Sequence, residues 1–356
     1  MKREIYGCIN LNVTMLENKI YSEALEKSLD YISVNGKSFL ITGASGLIGS
    51  CLVDLLMLAN KKGANNHVYA LGRSSEKLKK RFKQFVNDKF FHIIAQDICS
   101  PIDGKLDFDY IVHGASNADP DSYAKYPVET MVTNILGGKN ILDYGKSHKN
   151  CKITILSTFE VYGNCNKDVY SELDTGLLNF NHFRACYPES KRSLEIMSRC
   201  YVDEYGVNVN VARLSSIYGP TMSANDSKAH AQFLKNALEG KDIVLKSKGL
   251  PRRTYCYVID AVTGILTVLF KGEIFDVYNI SNENSIASIA EVAHTVANIA
   301  RQKVIFELPS EIEQKGFSKP QNCILDNHKL RALGWKGRYT LLEGMNETYK
   351  ILLGFK

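Results

Sequence analysis

The feature that most constrains the fold is a glycine-rich turn between an apolar strand and an apolar helix. Gly43, Gly46 and Gly49 recur at a spacing of three within FLITGASGLIGSCLVDLL, residues 39–56. Glycine lets the backbone turn tightly and approach a pyrophosphate, and a helix N-terminus offers free N–H groups. Because a strand precedes the turn and a helix follows it, the segment predicts a dinucleotide-binding site. The residues expected to contact the dinucleotide are Gly43, Ser45, Gly46, Leu47, Ile48 and Gly49.

The segments after the second and third strands bear on which dinucleotide is bound. NAD-binding sites usually carry an acid after the second strand, where it holds the ribose hydroxyls, whereas this chain has Gly72 and Arg73 there. An arginine can pair with a 2′-phosphate, so Arg73 favours NADP(H). NAD remains open, because Arg73 could instead begin an exposed basic helix. Asp97 and Ile98 follow the third strand and are expected to flank the adenine.

The fourth strand ends in HGAS, residues 113–116. The small residues Gly114, Ala115 and Ser116 would let a cofactor lie against the backbone. We interpret His113 as a packed residue at the strand end rather than as a catalyst.

The chain alternates between short apolar runs and helices, which indicates a parallel sheet covered on both faces. We therefore predict an α/β fold, a doubly wound parallel sheet of Rossmann type. Strands are expected over 38–42, 67–71, 90–95, 110–113, 152–156 and 207–213, and helices near Leu47, Ser75, Pro127 and Tyr187. Residues 37–215 are mainly this dinucleotide-binding domain.

The alternation loosens after Arg213. Residues 218–230 indicate a loop that leads into a helix. Residues 242–260 indicate a strand, a turn and a second strand, and residues 289–301 and 341–352 indicate two helices. We assign 216–356 mainly to a smaller substrate-binding lobe, part of which returns to the Rossmann domain. Residues 1–36 are an extension of open role that ends in an amphipathic helix with Leu25, Leu29 and Ile32 on one face.

Composition narrows the class of protein. The net charge of +6 is modest, and its densest segment, EKLKKRFK, fits the solvated face of a helix rather than a nucleic-acid or membrane patch. Nine scattered cysteines without a Cys-x-x-Cys pair argue against disulfide and zinc frameworks. No run approaches the ~18 apolar residues of a membrane span, and the acidic N-terminal stretch does not resemble a signal peptide. We expect a cytoplasmic protein with no bound metal, no nucleic-acid partner and no membrane partner.

A tyrosine and a lysine in ACYPESK, residues 185–191, are candidates for proton transfer. Of nineteen tyrosines, only Tyr187 has a lysine, Lys191, at the fourth position after it. Residues at i and i+4 share one face of a helix. An ammonium beside a phenol stabilises the phenolate, so Lys191 is expected to lower the pKa of Tyr187. Taken alone, the spacing is also compatible with an ordinary surface pair.

Together, the glycine turn, the Ser-Thr at the end of the fifth strand and the Tyr-x-x-x-Lys segment resemble the extended short-chain dehydrogenase/reductases. More narrowly, the chain resembles the nucleotide-sugar epimerase/dehydratase/decarboxylase branch, the NAD-dependent epimerase/dehydratases. The resemblance runs from about Ser38 to the C-terminus. The segments in family order are HGASNADP, TNILGGKNIL, LSTFEVYG, YPESKR, RLSSIYGP, RRTYCYVIDAV and LGWKGRYTLLEGM.

The resemblance implies roles for individual residues. Tyr187 would be the general acid or base at a substrate hydroxyl, and Lys191 its electrostatic partner, which also binds the nicotinamide ribose. Thr158 would hydrogen-bond the substrate oxygen, and Glu160 would lie beside the sugar ring. Arg253 would grip the nucleotide diphosphate. The family usually forms dimers through the helices that here begin near Pro127 and Tyr187.

The chain also departs from the family pattern in the substrate site. Phe159 replaces the acid that protonates the departing hydroxyl in sugar 4,6-dehydratases, which argues against net 4,6-dehydration by that mechanism. Ser216 stands where the family usually has an asparagine, and it is carried over as a substrate-binding position.

Three hypotheses for function follow. The first is NAD(P)-dependent modification of a nucleotide-diphosphate sugar, by epimerisation, elimination or decarboxylation, for surface polysaccharide synthesis. It would use a closed redox cycle with Tyr187 as acid and base, and Glu160 favours it. The second is an NADPH-dependent reductase of a nucleotide-linked keto sugar, favoured by Arg73 and Phe159. The third is a cofactor-binding scaffold without activity.

Overall fold

The computed structural model describes residues 14–307 and 322–355. The strands are β1 (Ser38–Thr42), β2 (His67–Gly72), β3 (Phe91–Ala95), β4 (Tyr110–His113), β5 (Lys152–Thr158), β6 (Val169–Tyr170), β7 (Val209–Leu214), β8 (Ser216–Tyr218), β9 (Ile243–Leu245), β10 (Arg252–Tyr257), β11 (Val277–Ile280), β12 (Ile286–Ser288), β13 (Val304–Phe306) and β14 (Ile324–Leu325). The α-helices are α1 (Lys19–Glu26), α2 (Leu47–Lys61), α3 (Ser75–Arg81), α4 (Pro120–Lys125), α5 (Pro127–Ser147), α6 (Cys186–Tyr205), α7 (Ala229–Leu238), α8 (Val258–Lys271), α9 (Ile289–Ala300), α10 (His328–Ala332) and α11 (Leu341–Leu353).

A seven-stranded sheet with the order β11-β7-β5-β4-β1-β2-β3 forms the centre of the fold. All of its ladders are parallel, as between β1 and β2 and between β1 and β4. Side chains alternate between its faces, so that Phe39 and Ile41 enter the core shared with α2 and α8 while Leu40 packs with α5 and α6. The predicted doubly wound parallel fold is confirmed. The strand order reverses between β1 and β4, which opens a crevice beyond the carboxyl ends of these strands.

Two strand boundaries differ from the predicted ones by two residues, and the others lie within one residue. The fifth strand continues to Thr158 rather than ending at 156. The strand predicted from 207 begins at Val209, because the end of α6 occupies the preceding residues. Gly206 adopts a left-handed conformation, and the Val207 N–H donates to the Tyr201 carbonyl of the helix at 3.3 Å.

The C-terminal half contributes to both parts of the fold. Its strand β11 lies at the edge of the large sheet, beside β7. A smaller sheet has the order β12-β10-β8, and β9 pairs with β13. The two strands predicted within 242–260 therefore both form, but they pair with other strands and not with each other.

The N-terminal helix is shorter than the predicted apolar face. Leu25 is fully buried within α1, but Leu29 lies in a separate 3₁₀ turn and Ile32 follows that turn. The helix ends where the Ser28 hydroxyl donates to the Ala24 carbonyl. The Tyr21 hydroxyl donates to the buried Asp54 of α2 at 2.9 Å, so the described part of this extension packs on the Rossmann domain. Residues 1–13 lie outside the described residues.

Candidate active site

The glycine turn is closely packed against the loop after β4. Gly43 has φ +67°, and a Cβ placed on it would lie 2.7 Å from the Gly114 carbonyl oxygen. A Cβ on Gly49 would lie 2.5 Å from the Gly43 carbonyl oxygen. The turn closes by a 2.9 Å hydrogen bond from the Gly46 N–H to that same oxygen. Neither Gly43 nor Gly49 therefore has room for a side chain. The turn places the N-terminus of α2 at the crevice.

The fourth strand is tied to this turn by Thr42. Its hydroxyl oxygen accepts from the Gly114 and Ala115 N–H groups, both at 3.1 Å, and lies 2.9 Å from His113 Nδ1. His113 is fully buried, and burial lowers its pKa to about 3, with the Lys191 charge acting in the same direction. The imidazole is therefore neutral at physiological pH, and its interpretation as a packed residue is confirmed.

The candidate proton-transfer residues meet where β5 ends and α6 begins. Tyr187 lies in the first turn of α6, is nearly buried, and is hydrogen-bonded to the Thr158 side chain. The Lys191 ammonium, one turn further along, donates to the Leu156 carbonyl oxygen at 2.9 Å. The Ser190 hydroxyl joins α6 to α5, because it donates to the Tyr187 carbonyl and accepts from Asn134. The spacing of Tyr187 and Lys191 therefore reflects a shared buried face and not a surface pair.

The pKa of Tyr187 differs from the expected direction. Burial and then the charge of Glu160 raise it well above 10, while the hydrogen bond with Thr158 acts to lower it. Burial lowers the pKa of Lys191 to about 8. The prediction that Lys191 lowers the pKa of Tyr187 is wrong for this structure, because loss of solvation dominates both groups.

Glu160 lies in the same crevice among three cations. Burial raises the pKa of this carboxyl, and the charges of Arg184, Arg253 and Lys228 act to lower it. Arg253 extends over the ring of Phe159, with its guanidinium carbon 5.7 Å from the ring centroid. Its buried Nε finds no hydrogen-bond partner within the described ranges. A buried N–H of this kind fits an anionic oxygen of a ligand.

Tyr123 and Arg184 belong to the site but were not identified from the sequence. The ring of Tyr123 stacks on that of Tyr187, with centroids 5.2 Å apart and 8° between the planes. Arg184 Nη2 donates to the Tyr123 hydroxyl at 3.1 Å. These contacts join α4 to the start of α6 across about sixty residues. No motif in the sequence marks such a contact.

One cleft of about 610 Å³ joins most of the predicted positions, a size in the range of small-molecule sites. The predicted residues that line it are Gly43, Gly46, Leu47, Ile48, Gly49, Gly114, Ser116, Thr158, Glu160, Tyr187, Lys191, Ser216 and Arg253. The cleft continues along the loop before α7, past Asp226, Lys228 and the buried His230.

The remaining predicted cofactor residues lie outside that lining. Arg73 forms an exposed ion pair with Glu129 of α5, with Nη1 and Oε1 2.8 Å apart. An Asp97 carboxylate oxygen accepts from the Cys99 N–H at 2.8 Å, and Ile98 is buried against Gly137. The others, Ser45 and Ala115, are partly buried beside the lining residues.

The residues present fit a dinucleotide. The glycine turn is a cradle that a Cβ would fill, and the buried Ser116 hydroxyl oxygen, on the facing loop, lacks a partner among the described residues. Within the same residues, no group of three or more His, Cys, Asp or Glu side chains could hold a metal ion. No helix of the described chain is long and apolar enough to cross a membrane.

A parallel Rossmann sheet with a glycine cradle and a Tyr-x-x-x-Lys pair in one cleft is the arrangement of the extended short-chain dehydrogenase/reductase class. The profile of the NAD dependent epimerase/dehydratase family matches residues 39–281, and the chain belongs to this family.

Two relatives in sequence are named decarboxylases. The chain is 32% identical over 323 residues to UDP-glucuronic acid decarboxylase 5 of Arabidopsis thaliana, covering 88% of this chain and 90% of the relative. It is 31% identical over 313 residues to UDP-glucuronic acid decarboxylase 1 of Xenopus tropicalis, covering 88% of this chain and 71% of the relative.

Solved structures share the fold. UDP-glucuronic acid 4-epimerase from Bacillus cereus, in complex with UDP-glucuronic acid and NAD, superposes with a TM-score of 0.75 at 23% identity, covering 90% of this chain and all of that chain (100%). The dTDP-glucose 4,6-dehydratase from Bacillus anthracis, in complex with NAD, has a TM-score of 0.73 at 23% identity, covering 88% of this chain and 96% of that one.

Proposed function

We propose that this protein modifies the sugar of a nucleotide-diphosphate sugar, using a retained nicotinamide dinucleotide and Tyr187 as acid and base. The observation that carries the proposal is the single cleft shared by the glycine cradle, Tyr187, Thr158, Glu160 and Arg253. A nicotinamide dinucleotide, when bound, supplies the acceptance and return of a hydride. The protein residues must bind the sugar, orient it and move its protons.

The proton at the sugar hydroxyl is assigned to Tyr187. Its phenol oxygen would exchange that proton while Thr158, already hydrogen-bonded to it, orients the same sugar oxygen. The Lys191 ammonium lies one turn along the same buried helix face and supplies positive charge when the phenol is deprotonated. Asn134 and Ser190 hold this face of α6 in place.

The chemistry beside the reacting carbon is assigned to Glu160. It lies among Arg184, Arg253 and Lys228, so its carboxylate can exist in the cleft without an uncompensated charge. Arg253, with its unpartnered Nε, is assigned to the substrate diphosphate, and Ser216 lines the same wall. We accordingly assign 216–356 mainly to substrate binding.

The first substrate to test is UDP-glucuronic acid, and the first net reaction is its decarboxylation. The relatives at 31–32% identity that are named UDP-glucuronic acid decarboxylases support this choice. Epimerisation of the sugar would use the same closed redox cycle. Phe159, which has no proton to donate to a departing hydroxyl, argues against 4,6-dehydration.

A second candidate is reduction of a nucleotide-linked keto sugar by NADPH. Two observations favour it. The raised pKa of Tyr187 keeps the phenol protonated, which is the state that donates to a keto oxygen, and Phe159 leaves the cleft without the dehydratase acid.

The experiment separates the two candidates. Purified protein is incubated with UDP-glucuronic acid and then with a panel of nucleotide sugars, while the absorbance of reduced nicotinamide and the product mass are followed. Loss of carbon dioxide, or an isomeric product, with no net nicotinamide change supports the closed cycle. Consumption of one NADPH per product rejects it in favour of the reductase, and no turnover with any member rejects both and leaves the inactive scaffold.

For the cofactor we propose a preference for NADP(H), carried by Arg73. A 2′-phosphate would take the place of the Glu129 carboxylate that now pairs with Arg73, and Lys77 lines the cleft near this end. Titrations of NADP and NAD into wild type and Arg73→Ala test this. In Arg73→Ala we expect at least a tenfold loss of NADP affinity with little change in NAD affinity. Lys79→Ala, which removes an exposed lysine of α3, is the control and should bind both dinucleotides as wild type does. Equal losses for both dinucleotides would reject the assignment.

We further propose a homodimer formed through α5 and α6. Exposed apolar side chains on these helices support it, namely Val128 (74% exposed) and Leu136 (45%) on α5, and Ile196 (66%) on α6. Light scattering should give twice the chain mass, and Val128→Glu with Ile196→Glu should give the monomer mass. A cytoplasmic location, expected from the scattered cysteines, and a role in surface polysaccharide synthesis, implied by the family resemblance, complete the proposal.

A further inference from the structure

A third residue continues the helix face that carries the proton-transfer pair. Tyr187, Lys191 and Glu195 follow one another at four-residue intervals on α6, so they share one face. Glu195 is 7% exposed and lies behind the cleft, outside its lining. It can touch neither substrate nor dinucleotide, and the function proposed above gives it no role.

Hydrogen bonds hold both carboxylate oxygens of Glu195. The Ser157 hydroxyl donates to Oε1, and Arg213 donates through Nε to both oxygens at 3.1 and 3.2 Å and through Nη2 to Oε2 at 2.7 Å. Charge-assisted bonds of this kind are roughly twice as strong as neutral ones, so they hold the carboxylate group firmly in place. Arg213 is fixed in turn by the Glu172 carbonyl and by the ring of Tyr162.

This carboxylate acts on two parts of the site. Ser157 directly precedes Thr158, so the bond from Ser157 fixes the end of β5 that carries Thr158. The second effect is on the ammonium of Lys191, which is buried and bonded to a neutral carbonyl oxygen. Burial lowers the pKa of Lys191 to about 8, and the charge of Glu195 opposes that effect.

The other groups that face Lys191 do not supply a negative charge at neutral pH. His113, on β4, is buried and neutral, and Tyr187, on the same helix, has a pKa raised well above 10. On the β5 side, Lys191 meets the Leu156 carbonyl.

We propose that Glu195 is a positioning residue, which keeps the Lys191 ammonium charged and holds the end of β5 in register with Tyr187. The proposal rests on the function proposed above, because it assigns Glu195 to the same proton-transfer site. It concerns the state of Lys191 in the protein itself, so it is tested without turnover.

The test is a direct titration of Lys191. Protein labelled with ¹³C at lysine Cε is followed by NMR as a function of pH, and the Lys191 signal is assigned from its loss in Lys191→Arg. Glu195→Gln keeps the shape of the side chain and removes its charge. We expect the pKa of Lys191 to fall by about 1 unit or more, as for loss of an opposite charge one helical turn away. Ser157→Ala, which removes one hydrogen bond and leaves the carboxylate, should leave the pKa of Lys191 within ~0.3 unit.

A second variant covers the case in which Glu195→Gln leaves Arg213 buried without a partner. Glu195→Gln with Arg213→Met removes both charges, so no buried charge is left uncompensated. In the double variant the loss of the Arg213 cation offsets part of the fall, so a smaller fall in the pKa of Lys191 is expected there. An unchanged pKa of Lys191 in folded Glu195→Gln would overturn the proposal. Failure of both variants to fold would also overturn it, since the pair would then serve the fold alone.

Activity gives a separate readout if turnover is found. In Glu195→Gln the alkaline limb of the pH profile should move to lower pH, and kcat should fall more than KM changes. If the proposed function is wrong, no variant turns over, yet the NMR result still stands. If only the role of Glu195 is wrong, turnover is present and the alkaline limb stays in place.

Discussion

A Cβ added at the glycine turn tests whether this turn is a crowded cradle or an ordinary strand-to-helix connection. In Gly43→Ala, two costs add. The φ of +67° is a left-handed conformation, which costs an L-residue about 1–2 kcal/mol. The new Cβ would also meet the Gly114 carbonyl oxygen at 2.7 Å, and relieving that overlap with backbone costs about 1–3 kcal/mol more.

The chain offers a matched control for the first of these costs. Gly36 has φ +65°, but a Cβ on it would meet nothing within 4 Å. Gly36→Ala should therefore lose about 1–2 kcal/mol of unfolding free energy, whereas Gly43→Ala should lose about 2–5 kcal/mol. The difference between the two variants measures the close approach of Gly43 to Gly114.

Two measurements complete the test. Urea unfolding gives the free energies, and dinucleotide titration followed by calorimetry gives the affinities. Gly36→Ala should bind dinucleotide as wild type does, and Gly43→Ala at least tenfold more weakly because the turn must move away from β4. Equal losses of stability in the two variants, together with unchanged dinucleotide affinity in Gly43→Ala, would refute the cradle.

Three other perturbations follow from the same structure. Asp54→Asn should cost about 3–5 kcal/mol of unfolding free energy, because Arg81 loses its buried partner; a loss below ~1 kcal/mol in urea unfolding would contradict this. Tyr123→Leu should lower kcat at least tenfold by removing the ring stacked on Tyr187, and Tyr123→Phe should retain most of it; steady-state rates that rank the other way would count against the stack. The folded pKa of His113, about 3, lies below its ordinary value of 6.5, so its contribution to stability is complete above pH 6.5 and is lost as the pH falls toward 3. Between pH 7 and pH 5 the free energy of unfolding should fall by about 2 kcal/mol less in His113→Gln than in wild type. Equal losses in the two proteins would exclude this linkage.

Local patterns were enough to predict the parts of the site that lie within one element or one turn. The Gly43 turn is defined by residues next to one another, and Tyr187 and Lys191 by one helical interval. The predicted strand ends at residues 42 and 113 also match the structure, because each is followed directly by a turn.

Contacts between distant segments could not be predicted in this way. The stack of Tyr123 on Tyr187 depends on how α4 meets α6, and the ion pair of Arg73 with Glu129 on how β2 meets α5. The pKa of Tyr187 depends on burial, which spacing along a helix does not report. The expected lowering by Lys191 was wrong for that reason.

The most direct test of the account is the turnover of UDP-glucuronic acid, and of the other nucleotide sugars, by wild type and Tyr187→Phe. The variant keeps the ring that stacks on Tyr123 and removes only the hydroxyl that moves the proton. We predict that wild type forms product without net change in nicotinamide absorbance, and that Tyr187→Phe is about 10²–10⁴-fold slower. Turnover by Tyr187→Phe at the wild-type rate would contradict the account.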